Sequence, residues 1–166
     1  MKFQVIGLPR TATTWAANWL TDNDAICYHD PLSYKTIDEL KEFKPDFDWG
    51  ISCSASWIAP KWLNGYDCPR IILDRDPDEI DASLIKLGLP VLTDEMIDKF
   101  FALSGPRIYY TDLFDPISAR EIWKHLRGTE FNEERHKILC EMHIEPEFSK
   151  WHPDLSIITK LMIEGE

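Results

Sequence analysis

The sequence has no basic cluster. Its 18 Lys and Arg are scattered among 29 Asp and Glu, which leaves a formal net charge of -11 and a pI of about 4.8. A broad nucleic-acid footprint needs a cationic face to neutralise phosphates, so nucleic acid is not an expected partner. The acidic surface serves solubility. Any anionic ligand must then be held by a few local cations and by backbone N–H groups. Paired cysteines are also missing. Cys27, Cys53, Cys68 and Cys140 show no CxxC spacing and no His at zinc spacing, so neither a zinc site nor a disulfide framework is expected. Reduced, mostly buried thiols are. No apolar run approaches the roughly 20 residues of a membrane span. No signal-peptide pattern is visible, because Lys2 leads at once into a strand-like run. The cytoplasm is therefore the expected location, without a membrane partner. Internal repeats and low-complexity stretches are absent too.

What is present reads as one globular domain, residues 1–166. Hydrophobic residues make up 44% and charged residues 28%, and a chain of about 150 residues buries roughly 68–70% of its unfolded surface. Short apolar runs at 3–6, 25–28, 49–53, 70–73 and 107–110 read as strands. Helices are expected at 13–20, 37–43, 57–63, 77–87, 117–126, 133–143 and 153–163. Asn23 and Asp24 mark a turn. Pro77 suits a first helical turn. Thr93 reads as an N-cap, with Met96, Ile97, Phe100 and Phe101 on one face of the helix that follows. Strands alternating with helices predict a three-layer α/β/α fold around a central parallel sheet, of the P-loop nucleotide-binding type. Ligands of such sheets bind beyond the carboxyl ends of the strands, here after Ile6, Tyr28, Leu73 and Tyr110.

The first motif stands after the first strand: Gly7, Leu8, Pro9, Arg10, Thr11, Ala12, Thr13, Thr14. It has the length of GxxxxGK[ST], a loop that wraps phosphate in backbone N–H groups and aims a helix N-terminus at it. Ala12 occupies the place of the second Gly and Thr13 that of the Lys. The usual cation for the β- and γ-phosphates is thus missing, which argues against an ordinary ATPase. Arg10 supplies charge instead, with Thr13 and Thr14 as hydroxyl donors. The bland alternative is a polar strand-to-helix turn. The second motif is Arg75, Asp76 and Pro77 with Ser83 two helical turns on. Taken alone, it reads as a surface ion pair of Arg75 with Asp76 or Asp78. Asp74 ends its strand as a magnesium-binding acid would, but the loop lacks the Lys that accompanies such an acid.

Taken together, the motifs resemble those of the sulfotransferase family. Residues 7–15, ending in Trp15, are similar to the family loop GxPRSGTTW. Residues 71–77 with Ser83 are similar to its strand ending in R(D/N)P with a later Ser. Residues 108–113 resemble its strand ending YEDL, with Thr111 in place of Glu. The resemblance runs from about residue 2 to residue 143. It implies 3′-phosphoadenosine 5′-phosphosulfate (PAPS) as co-substrate and no metal. On the resemblance, Gly7, Pro9, Arg10, Thr11, Ala12, Thr13 and Thr14 hold the 5′-phosphosulfate end. Arg75 and Ser83 read the 3′-phosphate, and Trp15 and Tyr110 lie beside the adenine. Core packing is the alternative for Trp15. Trp19, Trp49, Trp57, Trp62, Trp123 and Trp151 read as core or pocket wall.

Transfer to a hydroxyl needs a group to take its proton. Where some family members carry a strand His, this chain has Ser52, Cys53 and Ser54. Where others carry a Glu after the second strand, it has His29 and Asp30 before Pro31 and Leu32. Either is a candidate base: Asp30 matches the position, and the imidazole reference pKa near 6.5 suits neutral pH. The alternative gives Asp30 only the Pro31 turn to organise. His125, His136, His143 and His152 lack metal-ligand spacing. The expected function is sulfuryl transfer from PAPS to a small-molecule or glycan acceptor. A P-loop nucleotide kinase or other phosphotransferase, and a non-catalytic nucleotide-binding protein, are the alternatives. A homodimer in which a second protomer completes the site is left open by so short a chain.

Overall fold

A computed structural model describes residues 1–142. The expected helix at 153–163, together with His143, Trp151 and His152, lies outside the described residues. Five strands, β1 (Phe3–Gly7), β2 (Ala25–His29), β3 (Asp48–Cys53), β4 (Arg70–Asp74) and β5 (Arg107–Tyr109), form one sheet in the order β2-β3-β1-β4-β5. All pairings are parallel; Val5 of the central strand lies opposite Ser52 on one side and Ile71 on the other. The helices are α1 (Thr13–Leu20), α2 (Ile37–Glu42), α3 (Pro60–Asn64), α4 (Pro77–Lys86), α5 (Asp94–Phe101), α6 (Pro116–Arg127) and α7 (Glu133–Glu141).

Alternation along the strands divides the apolar residues between two cores. Ile6, Ile51 and Ile72 point to one face and pack beneath α2, α3, α4 and α5 through Leu40, Leu63, Ile80 and Phe100. Phe3, Val5, Ile71 and Leu73 point to the other and pack beneath α1, α6 and α7 through Trp19, Trp123 and Leu139. The protein is thus a three-layer α/β/α structure with an all-parallel sheet, as the alternation of elements predicts. Among the described residues, no helix is long and apolar enough to cross a membrane.

Three expectations change in detail. The segment 57–63 is not one helix: a 3₁₀ turn at Ser56–Ile58 precedes α3, and Pro60 starts α3, where its missing N–H costs nothing. Tyr110 is not in β5; it opens a 3₁₀ turn, Tyr110–Leu113. Phe101 does not share the buried face of α5. Phe100 is buried and Phe101 is 59% exposed, because successive helical residues point about 100° apart. Arg107 lies over both rings.

Candidate functional site

The loop between β1 and α1 is closed from within. The Thr11 hydroxyl donates to the Leu8 carbonyl at 2.7 Å, and Thr11 is fully buried. Gly7 is required by this approach, since a Cβ there would stand 2.1 Å from Thr11 Oγ1. Arg10 (φ 66°) and Ala12 (φ 63°) both hold left-handed backbone, which costs an L-residue roughly 1–2 kcal/mol. Ala12 therefore keeps the conformation for which glycine is the usual residue. Ala12 is also the N-cap of α1 and makes no side-chain cap bond, so no cap side chain covers the N–H groups of the first turn.

Strand β3 and the 3₁₀ turn after it anchor the loop. The Ser52 hydroxyl donates to the Thr13 carbonyl at 2.7 Å, and the Ser56 hydroxyl donates to the Gly7 carbonyl at 3.0 Å. Both serines are fully buried.

From the β4 side, Arg75 and Ser83 meet the loop through Arg10. Arg10 Nε donates to Ser83 Oγ at 2.9 Å, and Arg75 Nη1 donates to the Arg10 carbonyl at 2.7 Å. The Arg75 guanidinium also lies over the Tyr110 ring, 4.7 Å from its centroid. Its carboxylate partner is Glu79 at 3.1 Å, one helical turn on, and not Asp76 or Asp78. Asp76 instead caps α4 by accepting from the Asp78 N–H. Among the described residues, the terminal nitrogens of Arg10 and Nη2 of Arg75 have no hydrogen-bond partner. Pro9 lies partly exposed in the same loop.

On the β2 side, His29 Nε2 lies 3.2 Å from the Thr14 hydroxyl, 3.4 Å from that of Thr13 and 3.3 Å from Asp30 Oδ2. Asp30 has a left-handed backbone (φ 44°), and its carboxylate does not cap the Pro31–Ser33 turn. It accepts from the N–H and hydroxyl of Ser54 instead. Burial, with the Asp30 carboxylate adding to it, pushes the Cys53 thiol well up. Cys53 therefore stays a neutral thiol and is no nucleophile. Tyr34 is also raised, first by burial and then by Asp30.

The structure thus brings Gly7, Arg10, Thr11, Ala12, Thr13, Thr14, His29, Asp30, Arg75, Ser83 and Tyr110 to one end of the sheet. Trp15 lies in the core beneath α1. It packs on Trp19, Phe114 and His136, and its indole N–H donates to the Leu139 carbonyl at 3.1 Å. His136 is buried and bonds the Leu113 carbonyl, so it serves packing, while His125 is exposed and bonds the Arg70 carbonyl. Asp74 is taken by Arg107 at 2.7 Å. The serines at 52, 54 and 56 were not among the expected site residues; their alternation at a strand end was the signal available for them. The chain matches no family model, and no curated protein or solved structure matches it at significance.

Proposed function

We propose that this end of the sheet binds a nucleotide with phosphates at both the 5′ and 3′ positions, and that the protein is a sulfotransferase using PAPS. The observation that supports this best is the Arg10 bridge: one guanidinium from the β1 loop touches Ser83, and its own carbonyl is held by Arg75. Two cations whose remaining donors are unpaired among the described residues thus stand together on a chain of net charge -11. The residues present fit the ligand, with left-handed loop positions and an uncapped helix start on one side and Arg75 stacked on Tyr110 on the other.

In this reading Arg10, Thr13 and Thr14 hold the 5′-phosphosulfate end, and Arg75 and Ser83 hold the 3′-phosphate. The co-substrate supplies an activated sulfuryl group: the acceptor oxygen bonds to sulfur as the bond from sulfur to the bridging phosphate oxygen breaks, and that oxygen leaves with the electron pair. The protein contributes position and fixed positive charge. His29 and Asp30 stand beside the Thr13 and Thr14 hydroxyls, where a proton leaving the acceptor can be received. The acceptor is a small molecule or a glycan presented from solvent.

Magnesium-dependent phosphotransfer is the less favoured reading. Asp74, the acid it would use, is paired with Arg107, and Thr13 stands where the phosphate-binding Lys would be. Calorimetric titration with 3′-phosphoadenosine 5′-phosphate, beside ATP with magnesium, separates the two. Micromolar binding of the bisphosphate alone is expected. Binding of ATP alone supports the phosphotransferase, and binding of neither removes the nucleotide site. Bisphosphate binding without turnover on a broad acceptor panel marks a non-catalytic nucleotide-binding protein.

A further inference from the structure

Ser54 stands just past β3 and meets Asp30 twice. Its backbone N–H donates to Oδ1, and its hydroxyl donates to Oδ2 at 2.7 Å. The Asp30 side chain is 14% exposed, and Oδ2 also lies 3.3 Å from Nε2 of His29. A carboxylate oxygen only accepts. A bare Nε2 would set its lone pair against that oxygen, whereas a protonated Nε2 donates to it; the Thr14 and Thr13 hydroxyls, 3.2 and 3.4 Å from the same nitrogen, can either donate or accept and so leave the choice to the carboxylate. The Asp30 carboxylate therefore selects the imidazole tautomer with hydrogen on Nε2, and the lone pair falls on Nδ1. Among the described residues, Nδ1 has no hydrogen-bond partner.

We propose that Ser54 is a positioning residue: it pins the Asp30 carboxylate against His29, fixes the imidazole as the Nε2–H tautomer, and so makes Nδ1 the atom that takes the acceptor's proton. Only the last step rests on the sulfuryl-transfer reading. In this arrangement Asp30 holds Ser54 on one side and His29 on the other, and its role is to orient the imidazole. As the acceptor O–H bond breaks, its proton goes to Nδ1 and its electron pair forms the new bond to sulfur. The sulfur–oxygen bond to the 5′-phosphate breaks in turn, and its electron pair leaves with the phosphate. The imidazolium, stabilised by Asp30, then returns its proton to solvent.

The test is the tautomer itself, read in the full chain with nitrogen-15 in its histidine rings. Long-range proton–nitrogen correlation spectra are recorded above the imidazole titration, at roughly pH 8 for a reference pKa near 6.5. Loss of one ring pattern in His29→Gln identifies the His29 signals. A protonated Nε2 with a bare Nδ1 is expected. In Ser54→Ala the Nδ1 signal moves toward the average of the two tautomers, and in Ser54→Thr, which keeps hydroxyl and N–H, it stays. Asp30→Asn gives the sharper result. The Ser54 N–H must be accepted by the amide oxygen, so the NH₂ faces Nε2, and the tautomer reverses to Nδ1–H. A wild-type Nδ1–H tautomer overturns the proposal, as does an unmoved His29 pattern in Ser54→Ala or in Asp30→Asn. If Ser54→Ala does not fold, Ser54→Gly, which also lacks the hydroxyl, is read in its place with the same outcomes. No nucleotide is added, so failure of the bisphosphate titration and failure of this assignment are separate results.

Discussion

Ala12 carries the clearest local cost in the loop. Its φ of 63° and ψ of 22° lie in the left-handed region, where a methyl group meets the following carbonyl. Glycine would remove that cost but would add conformational freedom to the unfolded chain, worth about 0.4–1 kcal/mol. Ala12→Gly should therefore stabilise modestly, by up to about 1 kcal/mol against a strain of roughly 1–2 kcal/mol; urea denaturation would measure it. Destabilisation would show that the Ala12 methyl makes packing contacts worth more than the strain. At Arg75, removal of the guanidinium takes away the contact to the Arg10 carbonyl and the face over Tyr110. A hydrogen bond to a charged group is worth roughly 1.5–3 kcal/mol, which is about 10- to 100-fold in affinity. Arg75→Ala should weaken bisphosphate binding by that factor in calorimetry and weaken any ATP binding far less. Unchanged bisphosphate affinity would remove Arg75 from the 3′-phosphate.

At the scale of elements, the carboxyl end of β3 and the segment that follows it work as a rack. Ser52 holds the start of α1, Ser54 holds Asp30, and Ser56 holds the end of β1. All three bonds join segments far apart in the chain, and their registers depend on the parallel pairing of β3 with β1 and β2. Ser52→Ala leaves the Thr13 carbonyl without this donor. The expected cost is about 1 kcal/mol in thermal or urea unfolding, with faster amide exchange in the first turn of α1. Protection unchanged from the wild type would show that the loop holds its shape without the rack. On the opposite face, α1 is tied by Trp15 to the Leu139 carbonyl and by Arg135 to the Asn18 and Thr21 carbonyls. The loop is thus held from the strands on one side and from α7 on the other.

At the scale of the whole molecule, Arg127 closes the far end of the structure. Its side chain is 4% exposed, donates to the Leu20 carbonyl, and pairs with Asp22 at 2.9 Å. Burial raises the Asp22 carboxyl, but the Arg127 hydrogen bond and the N–H groups of Asp24 and Ala25 outweigh it, and the net shift is downward. A carboxyl depressed in the folded state adds stability above its unfolded pKa, and loses that contribution as pH falls through the folded value. Asp22→Asn should therefore cost about 1 kcal/mol at neutral pH, given that Asp22 keeps some contact with water. The difference from the wild type should shrink below roughly pH 4, the unfolded carboxyl range. A gap of equal size at neutral pH and at pH near 3 would assign the effect to packing and not to charge.

The amino-acid sequence by itself determined the layers and which residues stand at the carboxyl ends of the strands. Apolar runs such as residues 70–73 and helix starts such as Pro77 and Thr93 act over a few residues, and short-range preferences of that kind are legible without contacts. The loop at Gly7 and the Arg75–Ser83 spacing were legible for the same reason. Only the tertiary structure decided who meets whom. Arg10 bridges Ser83 and Arg75 across 73 and 65 residues of sequence, and Ser54 reaches Asp30 across 24. It also decided that Phe101 faces outward and that Arg75 pairs with Glu79 and not with its nearer acidic neighbours. Such pairings depend on sheet order and helix rotation, which no local preference encodes. Periodicity read from the sequence can place a residue at the carboxyl end of a strand; the hydrogen bond it makes there is chosen by the strand alongside.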